Sequence, residues 1–343
     1  MNPRQYLAMS RGITCPRDKR PGLLITLPHQ RDVIHLPIMI TRNDASRQSL
    51  TLPEKDRMLR LQDGRRVGYQ DLGDPHGRPV LALHGTPASR LMYAIANDEA
   101  ARLGLRVISP DRWGYGGTDP NPKPTLKAWA ADSAEVADRL GLSTFSVLGI
   151  SGGGPYAAST AAILGQRVTA LALVVPVGPI AGTAAASHLS LLHRIEFRWA
   201  GPHAGIIRQT FNLYRALLRR SPRRAISMIG AITSKCDRDL LNTADVSDYL
   251  STTFNAGLEP GVDGAVIDVQ IFSGTWNVPL DAITAPTRIW SGSRDRIVPP
   301  AALRELQRAI PAAQLTELAG QGHFWIARDY PMVLEWLAKM KRE

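Results

Sequence analysis

Glycines crowd both sides of one serine in Gly149-Ile-Ser-Gly-Gly153, and this pentapeptide constrains the fold more than any other feature of the chain. The apolar run Thr144 to Ile150 before it reads as a buried strand, and Gly154-Pro-Tyr-Ala157 after it as the start of a helix. A strand that turns sharply into a helix holds its apex residue in a strained conformation, with the side chain raised above the sheet edge. Glycines are needed alongside because a Cβ there would meet neighbouring backbone. A serine at such an apex, Ser151, reads as a nucleophile. Five residues of this kind also occur by chance, so the assignment rests on what the rest of the chain supplies.

Alternating strands and helices surround the pentapeptide. Met58 to Gly73 predicts a hairpin about Asp63-Gly64, a strong two-residue turn signal. Further strands are expected at Pro79 to His84, Leu105 to Ser109, Val168 to Val177, Thr287 to Trp290 and Gln314 to Leu318. Helices are expected at Ala88 to Leu103, Leu126 to Leu140, 155–164, Ala301 to Ile310 and Phe324 to Met340. Short connections between alternating elements imply an α/β fold with a mostly parallel sheet flanked by helices. The strand signal stops after the sixth strand. Residues 180–284 read as a helical cap inserted between two parts of a core, 58–179 and 285–343, with Ser221-Pro222 a good start for one helix.

Charge divides that insertion. Arg194 to Arg224 holds eight arginines and one acid, Glu196, whereas Lys235 to Asp281 holds two basic residues against eight acids. Two solvated helical faces that attract each other are the simpler reading, and an anion-attracting rim over a cleft is the sharper one. The first 57 residues carry ten basic residues and five acids and are expected to be a poorly ordered basic tail. They contain no apolar segment long enough for a secretory signal. Met58 stands where the first strand should begin, so a product that starts there is a second expectation.

Residues 168–187 are uncharged and long enough to span a membrane, but Pro176, Pro179 and a small-residue bias predict a strand followed by a loop. A net charge of +11 favours anionic surroundings, yet it is spread without any nucleic-acid-binding motif. Cys15 and Cys236 offer neither a disulfide framework nor metal-ligand spacing, which fits a cytoplasmic protein without metal.

A serine hydroxyl needs a base within hydrogen-bond reach and a third group that orients the base. Loops at the carboxyl ends of parallel strands converge on one edge, so the partners should follow strands. Asp295 follows the Thr287 strand and His323 follows the Leu315 strand, 28 residues later. His84 also ends a strand but lacks such an acid, while His29, His35, His76, His188, His193 and His203 fall in the tail, a turn or the insertion. An oxyanion would take the backbone N–H of Gly152, at the start of a helix, and that of Thr86 in the loop after the Pro79 strand. Activity that needs a neutral His323 should fall as the pH drops through about 6.5.

His84-Gly-Thr-Pro87, Asp111-Arg-Trp-Gly-Tyr-Gly116, Gly149-Ile-Ser-Gly-Gly153, Asp295-Arg-Ile-Val-Pro299 and Gly322-His-Phe324 occur together and in order. In this the chain resembles the α/β-hydrolase superfamily, in particular its capped, esterase-like serine hydrolases, over roughly residues 58–340. The resemblance implies the α/β-hydrolase fold and the order nucleophile, acid, base for Ser151, Asp295 and His323. It also implies Gly152 and Thr86 as oxyanion donors, no cofactor, and Asp111 and Arg112 as braces of their loop. A nucleophilic serine, where superfamily dehalogenases and epoxide hydrolases carry aspartate, argues against those two chemistries.

Two other functions compete with a serine hydrolase. Gly152-Gly-Gly154-Pro-Tyr-Ala157 matches a dinucleotide fingerprint, which would make the chain an NAD(P) oxidoreductase. That reading wants an acid at the end of the next strand, where residues 174–179 are Val-Val-Pro-Val-Gly-Pro. A non-catalytic receptor on the same fold is the other, and it sits poorly with three intact reacting residues. The expected partner is a small molecule with an apolar portion. Phe197, Trp199, Phe211, Phe254, Phe272 and Trp276 read first as packing of the insertion and second as walls of an apolar pocket.

Overall fold

The computed structural model describes residues 56–179, 203–298, 300–311 and 313–340. The expectations for the basic tail, for 180–187, and for Phe197 and Trp199 lie outside these residues.

Eight strands form one sheet. They are β1 (Arg57–Arg60), β2 (Arg66–Gly73), β3 (Arg78–Leu83), β4 (Leu105–Pro110), β5 (Phe145–Ile150), β6 (Val168–Val174), β7 (Thr287–Gly292) and β8 (Ala313–Leu318). Their spatial order is β1-β2-β4-β3-β5-β6-β7-β8. The pairs β1–β2 and β2–β4 are antiparallel and every other pair is parallel. The hairpin turns where expected, with Gly64 at φ +89.

Side-chain alternation explains why the sheet is covered on both faces. Along β3, Val80 and Ala82 enter one apolar cluster while Leu81 and Leu83 enter another. Leu148 and Ile150 of β5 join the first cluster, and Phe145 and Val147 the second. All six residues of β5 are buried, as a central parallel strand requires. Helices α1 (Asn97–Arg102), α2 (Leu126–Arg139) and α3 (Gly154–Leu164) follow β3, β4 and β5. Between β6 and β7 come α4 (Ala204–Arg220), α5 (Pro222–Ile232), α6 (Lys235–Leu241), α7 (Ala244–Leu258) and α8 (Asp263–Ser273). Helix α9 (Pro300–Ala309) joins β7 to β8, and α10 (Ile326–Lys339) ends the described chain.

Three elements depart from the sequence expectation. The stretch from Ala88 opens as a 3-10 turn, Arg90–Ala96, before α1. There the carbonyl of Met92 accepts the hydroxyls of Tyr249 and Tyr330. Strand β6 stops at Val174. Val175 adopts φ +42, and Pro176 has no N–H to donate. Helix α10 begins at Ile326 and bends at Asp329, two residues before Pro331.

Candidate active site

Ser151 lies at the turn between β5 and α3 with φ +50, a left-handed conformation that is costly for a side chain with a Cβ. Its carbonyl accepts the N–H of Val177, which anchors the turn to the end of β6. Backbone crowding explains the glycines. A Cβ on Gly153 would stand 2.2 Å from the carbonyl oxygen of Leu83, and one on Gly149 would stand 2.7 Å from that of Gly153. The glycines of the run that resembles a dinucleotide fingerprint are crowded likewise, since a Cβ on Gly152 would stand 2.1 Å from Thr86 Oγ1 and one on Gly154 2.4 Å from Pro176 Cβ.

The structure brings Ser151, His323 and Asp295 together from three separate strand ends. His323 Nε2 lies 3.0 Å from Ser151 Oγ, and its Nδ1 lies 2.7 Å from Asp295 Oδ2. Because a carboxylate only accepts, Nδ1–H is the donor to Asp295, and the Nε2 lone pair faces the serine hydroxyl. Asp295 is held in turn by its other oxygen, which accepts the N–H groups of Ile297 and Val298 at 2.8 and 2.9 Å. Burial disfavours a charged His323, but the Asp295 charge and hydrogen bond, with a smaller effect from Asp237, outweigh it and raise its pKa above the ordinary value.

His84 has a different role. It is fully buried, and burial together with the Arg112 charge pushes its pKa well below the ordinary value. Its Nε2 already accepts the N–H of Arg112 at 3.0 Å, so no lone pair remains for a proton from Ser151.

Gly152 and Thr86 are neighbours, since a Cβ on Gly152 would stand 2.1 Å from Thr86 Oγ1. The Thr86 loop is braced from below. Arg112 donates to the carbonyls of His84 and Gly85 at 2.8 and 3.3 Å and to Thr86 Oγ1 at 3.0 Å. Its charge meets Asp268 of α8 at 2.6 Å, with both side chains 1% exposed. Asp268 further accepts the hydroxyls of Thr86, Tyr115 and Tyr156 at 2.5, 2.8 and 2.6 Å. Burial and the Asp268 charge hold both phenols well above their ordinary pKa, so they remain donors. Arg112 Nε is buried without an acceptor, but the remaining contacts of this buried pair fix its geometry even where its net stabilisation is small. Asp111 caps the same loop from its other end by accepting the N–H groups of Arg90 and Gly117 at 2.6 and 2.8 Å.

Two acids of the insertion correct the sequence reading. Asp237 and Asp268 were expected on a solvated face, yet both are buried. Elsewhere the two charged halves do attract each other: Arg208 pairs with Asp263 at 2.6 Å and Arg223 with Asp248 at 3.1 Å.

A cavity of about 320 Å³ opens over Ser151 and His323. Phe211, Tyr214, Tyr249, Leu250 and Phe254 of the inserted helices wall it opposite Met92, Ile326 and Tyr330. No Asp, Glu, Lys or Arg of the described residues lines it. The insertion aromatics thus divide. Phe211 and Phe254 face the cavity, while Phe272 and Trp276 are buried in the core.

The family model described as alpha/beta hydrolase fold matches residues 78–327. Among relatives, the chain is similar to the AB hydrolase superfamily protein YisY of Bacillus subtilis (strain 168), with 28% identity over 74% of this chain and 87% of that protein. It is also 26% identical to the 2-hydroxymuconate semialdehyde hydrolase of Pseudomonas putida, over 79% of this chain and 89% of that one. Among solved structures, an alpha/beta hydrolase fold protein from Nakamurella multipartita superimposes with a TM-score of 0.61 at 26% identity, over 83% of this chain and 98% of that one. With an eight-stranded, mostly parallel sheet in this order and a family match across most of its length, the chain belongs to the alpha/beta hydrolase fold family.

Proposed function

We propose that the protein is a cofactor-free serine hydrolase that cleaves a neutral, ester-like substrate with an apolar portion. The observation that carries this reading is the unbroken path from Ser151 Oγ through His323 to Asp295, at 3.0 and 2.7 Å, on the floor of an apolar cavity.

In this reading Ser151 Oγ attacks the substrate carbonyl carbon while His323 Nε2 takes its proton. The negative charge that develops on the carbonyl oxygen is met by the N–H groups of Gly152 and Thr86, and the N-terminus of α3 adds its dipole. His323 then returns the proton to the departing alkoxide, which leaves an acyl group on Ser151. A water that gives its proton to Nε2 hydrolyses this ester and restores the serine. Asp295 keeps the imidazole in one tautomer and stabilises its charged form throughout. The inserted helices act as a cap that excludes bulk water and shapes the substrate pocket.

Substrate polarity follows from the cavity wall. Recognition of an aminoacyl ammonium group needs a facing carboxylate, and none of the described lining residues supplies one. An uncharged acyl or alcohol group gains roughly 0.8 kcal/mol for each methylene it buries there. A panel of p-nitrophenyl esters of graded chain length, run beside aminoacyl amides, tests the proposal. Turnover should rise with chain length until the cavity is full, and aminoacyl amides should be inert. Preference for the amides would remove the ester assignment.

A further inference from the structure

Asp237 is a buried acid that the reaction described above does not use. Helix α6, part of the insertion, carries it to the turn that bears His323, far from it in sequence. Its Oδ1 accepts the N–H of Phe324 at 2.9 Å, and its Oδ2 accepts the Ser234 hydroxyl at 2.7 Å. The carboxylate lies flat against the preceding residue, since a Cβ on Gly322 would stand 2.2 Å from its atoms. It therefore touches the residues before and after His323. Only 1% of Asp237 is exposed, and no lysine or arginine among the described residues forms an ion pair with it. The neighbouring cations are turned elsewhere, Lys235 to Asp239 and Arg238 to the carbonyl of Gly230.

A buried carboxylate without a cation is costly unless a positive charge arises beside it. His323 supplies one each time it takes the serine proton. We infer that Asp237 is a positioning residue for His323: it fixes the 322–324 turn and stabilises the imidazolium formed in the transition state. This rests on the serine-hydrolase reading and deepens it, because the insertion then contributes to the chemistry as well as to the pocket.

The other groups that face His323 are accounted for. Asp295 comes from the loop after β7, and Ser151 is neutral. Tyr249 and Tyr330, across the cavity, have pKa values raised by burial and carry no charge at neutral pH. Asp237 and Asp295 are the two acids whose charges act on the imidazole.

Asp237→Asn tests the inference, because the amide keeps an oxygen for the Phe324 N–H, removes the charge, and turns an NH2 toward Ser234, whose hydroxyl can accept in place of donating. The acidic limb of kcat/KM should move down in pH, because removing a negative charge near the ring disfavours the imidazolium. The plateau should fall several-fold, because the imidazolium formed in the transition state loses the same stabilisation. An acidic limb that stays in place means a purely structural acid and overturns the proposal, as does an upward shift.

Nitrogen NMR of the His323 ring in a Ser151→Ala background, with and without Asp237→Asn, reads the same coupling without turnover. A failure of the serine-hydrolase reading is thereby separated from a failure of this one. Should Asp237→Asn not fold, the side-chain carboxyl carbon of Asp237 in the wild-type chain decides the matter. A carboxyl signal that responds to the titration of the His323 ring supports the role, and one that does not respond overturns it.

Discussion

At the scale of single residues, His323 is held between opposed influences. Burial alone would keep it neutral, and the carboxylates beside it pull the other way and win. The consequence for catalysis has a definite sign. Only the neutral ring accepts a proton from Ser151, so a raised pKa makes activity fail sooner on acidification. The acidic limb of the pH profile should lie above the value of about 6.5 for an unperturbed histidine. Folding runs the other way. The same contact stabilises the fold fully below the unfolded-state pKa of the ring, and its contribution fades as the pH rises through the folded-state value. Initial rates between pH 5 and 9 check the first statement, and a limb at or below 6.5 would contradict it.

Residues also show where the sequence was legible. Ser151, Asp295 and His323 each follow a strand, so the rule that parallel strands deliver their loops to one edge was enough to bring them together. The direction of the His323 shift was not legible, because it depends on two carboxylates whose distances only the fold sets. Asp237 and Asp268 were missed for a related reason. Counted by charge, they belonged to an acid-rich surface. One signal was available for Asp268: it stands inside Gly264-Ala-Val-Ile-Asp-Val-Gln-Ile-Phe272, where an acid between apolar neighbours on a helix implies a buried partner.

At the scale of elements, helix α8 is tied to the core through Asp268, which gathers Arg112, Tyr115, Tyr156 and Thr86, as well as through its buried apolar face. Removing that carboxylate leaves the guanidinium of Arg112 buried without a counter-charge. Asp268→Ala should therefore destabilise the fold by about 3–5 kcal/mol, the usual effect of breaking a buried pair from one side. Urea unfolding monitored by tryptophan fluorescence measures it. A loss below about 1 kcal/mol would mean that α8 is held by its apolar face alone. Element boundaries were the least legible part of the sequence. The 3-10 turn at Arg90–Ala96 accepts hydroxyls from two distant helices, contacts that no local pattern contains.

At the scale of the whole molecule, the sheet and the inserted helices share one task. The sheet edge brings Ser151, His323 and Asp295 together, and the insertion walls the cavity above them while sending one acid to the Thr86 loop and another to the His323 loop. The alternation of strands and helices was enough to establish the core. The insertion was legible only as helical and charged, because its function lies in contacts across long sequence separations. The most direct test of the account is reaction of the full chain with an organophosphonate ester, followed by peptide mass spectrometry, with Ser151→Ala as its partner. The account predicts a single adduct on the Ser151 peptide, none in the variant, and a loss of turnover of roughly a million-fold, about 8 kcal/mol, in that variant. A Ser151→Ala protein that keeps most of its activity, or an adduct on another residue, would contradict it.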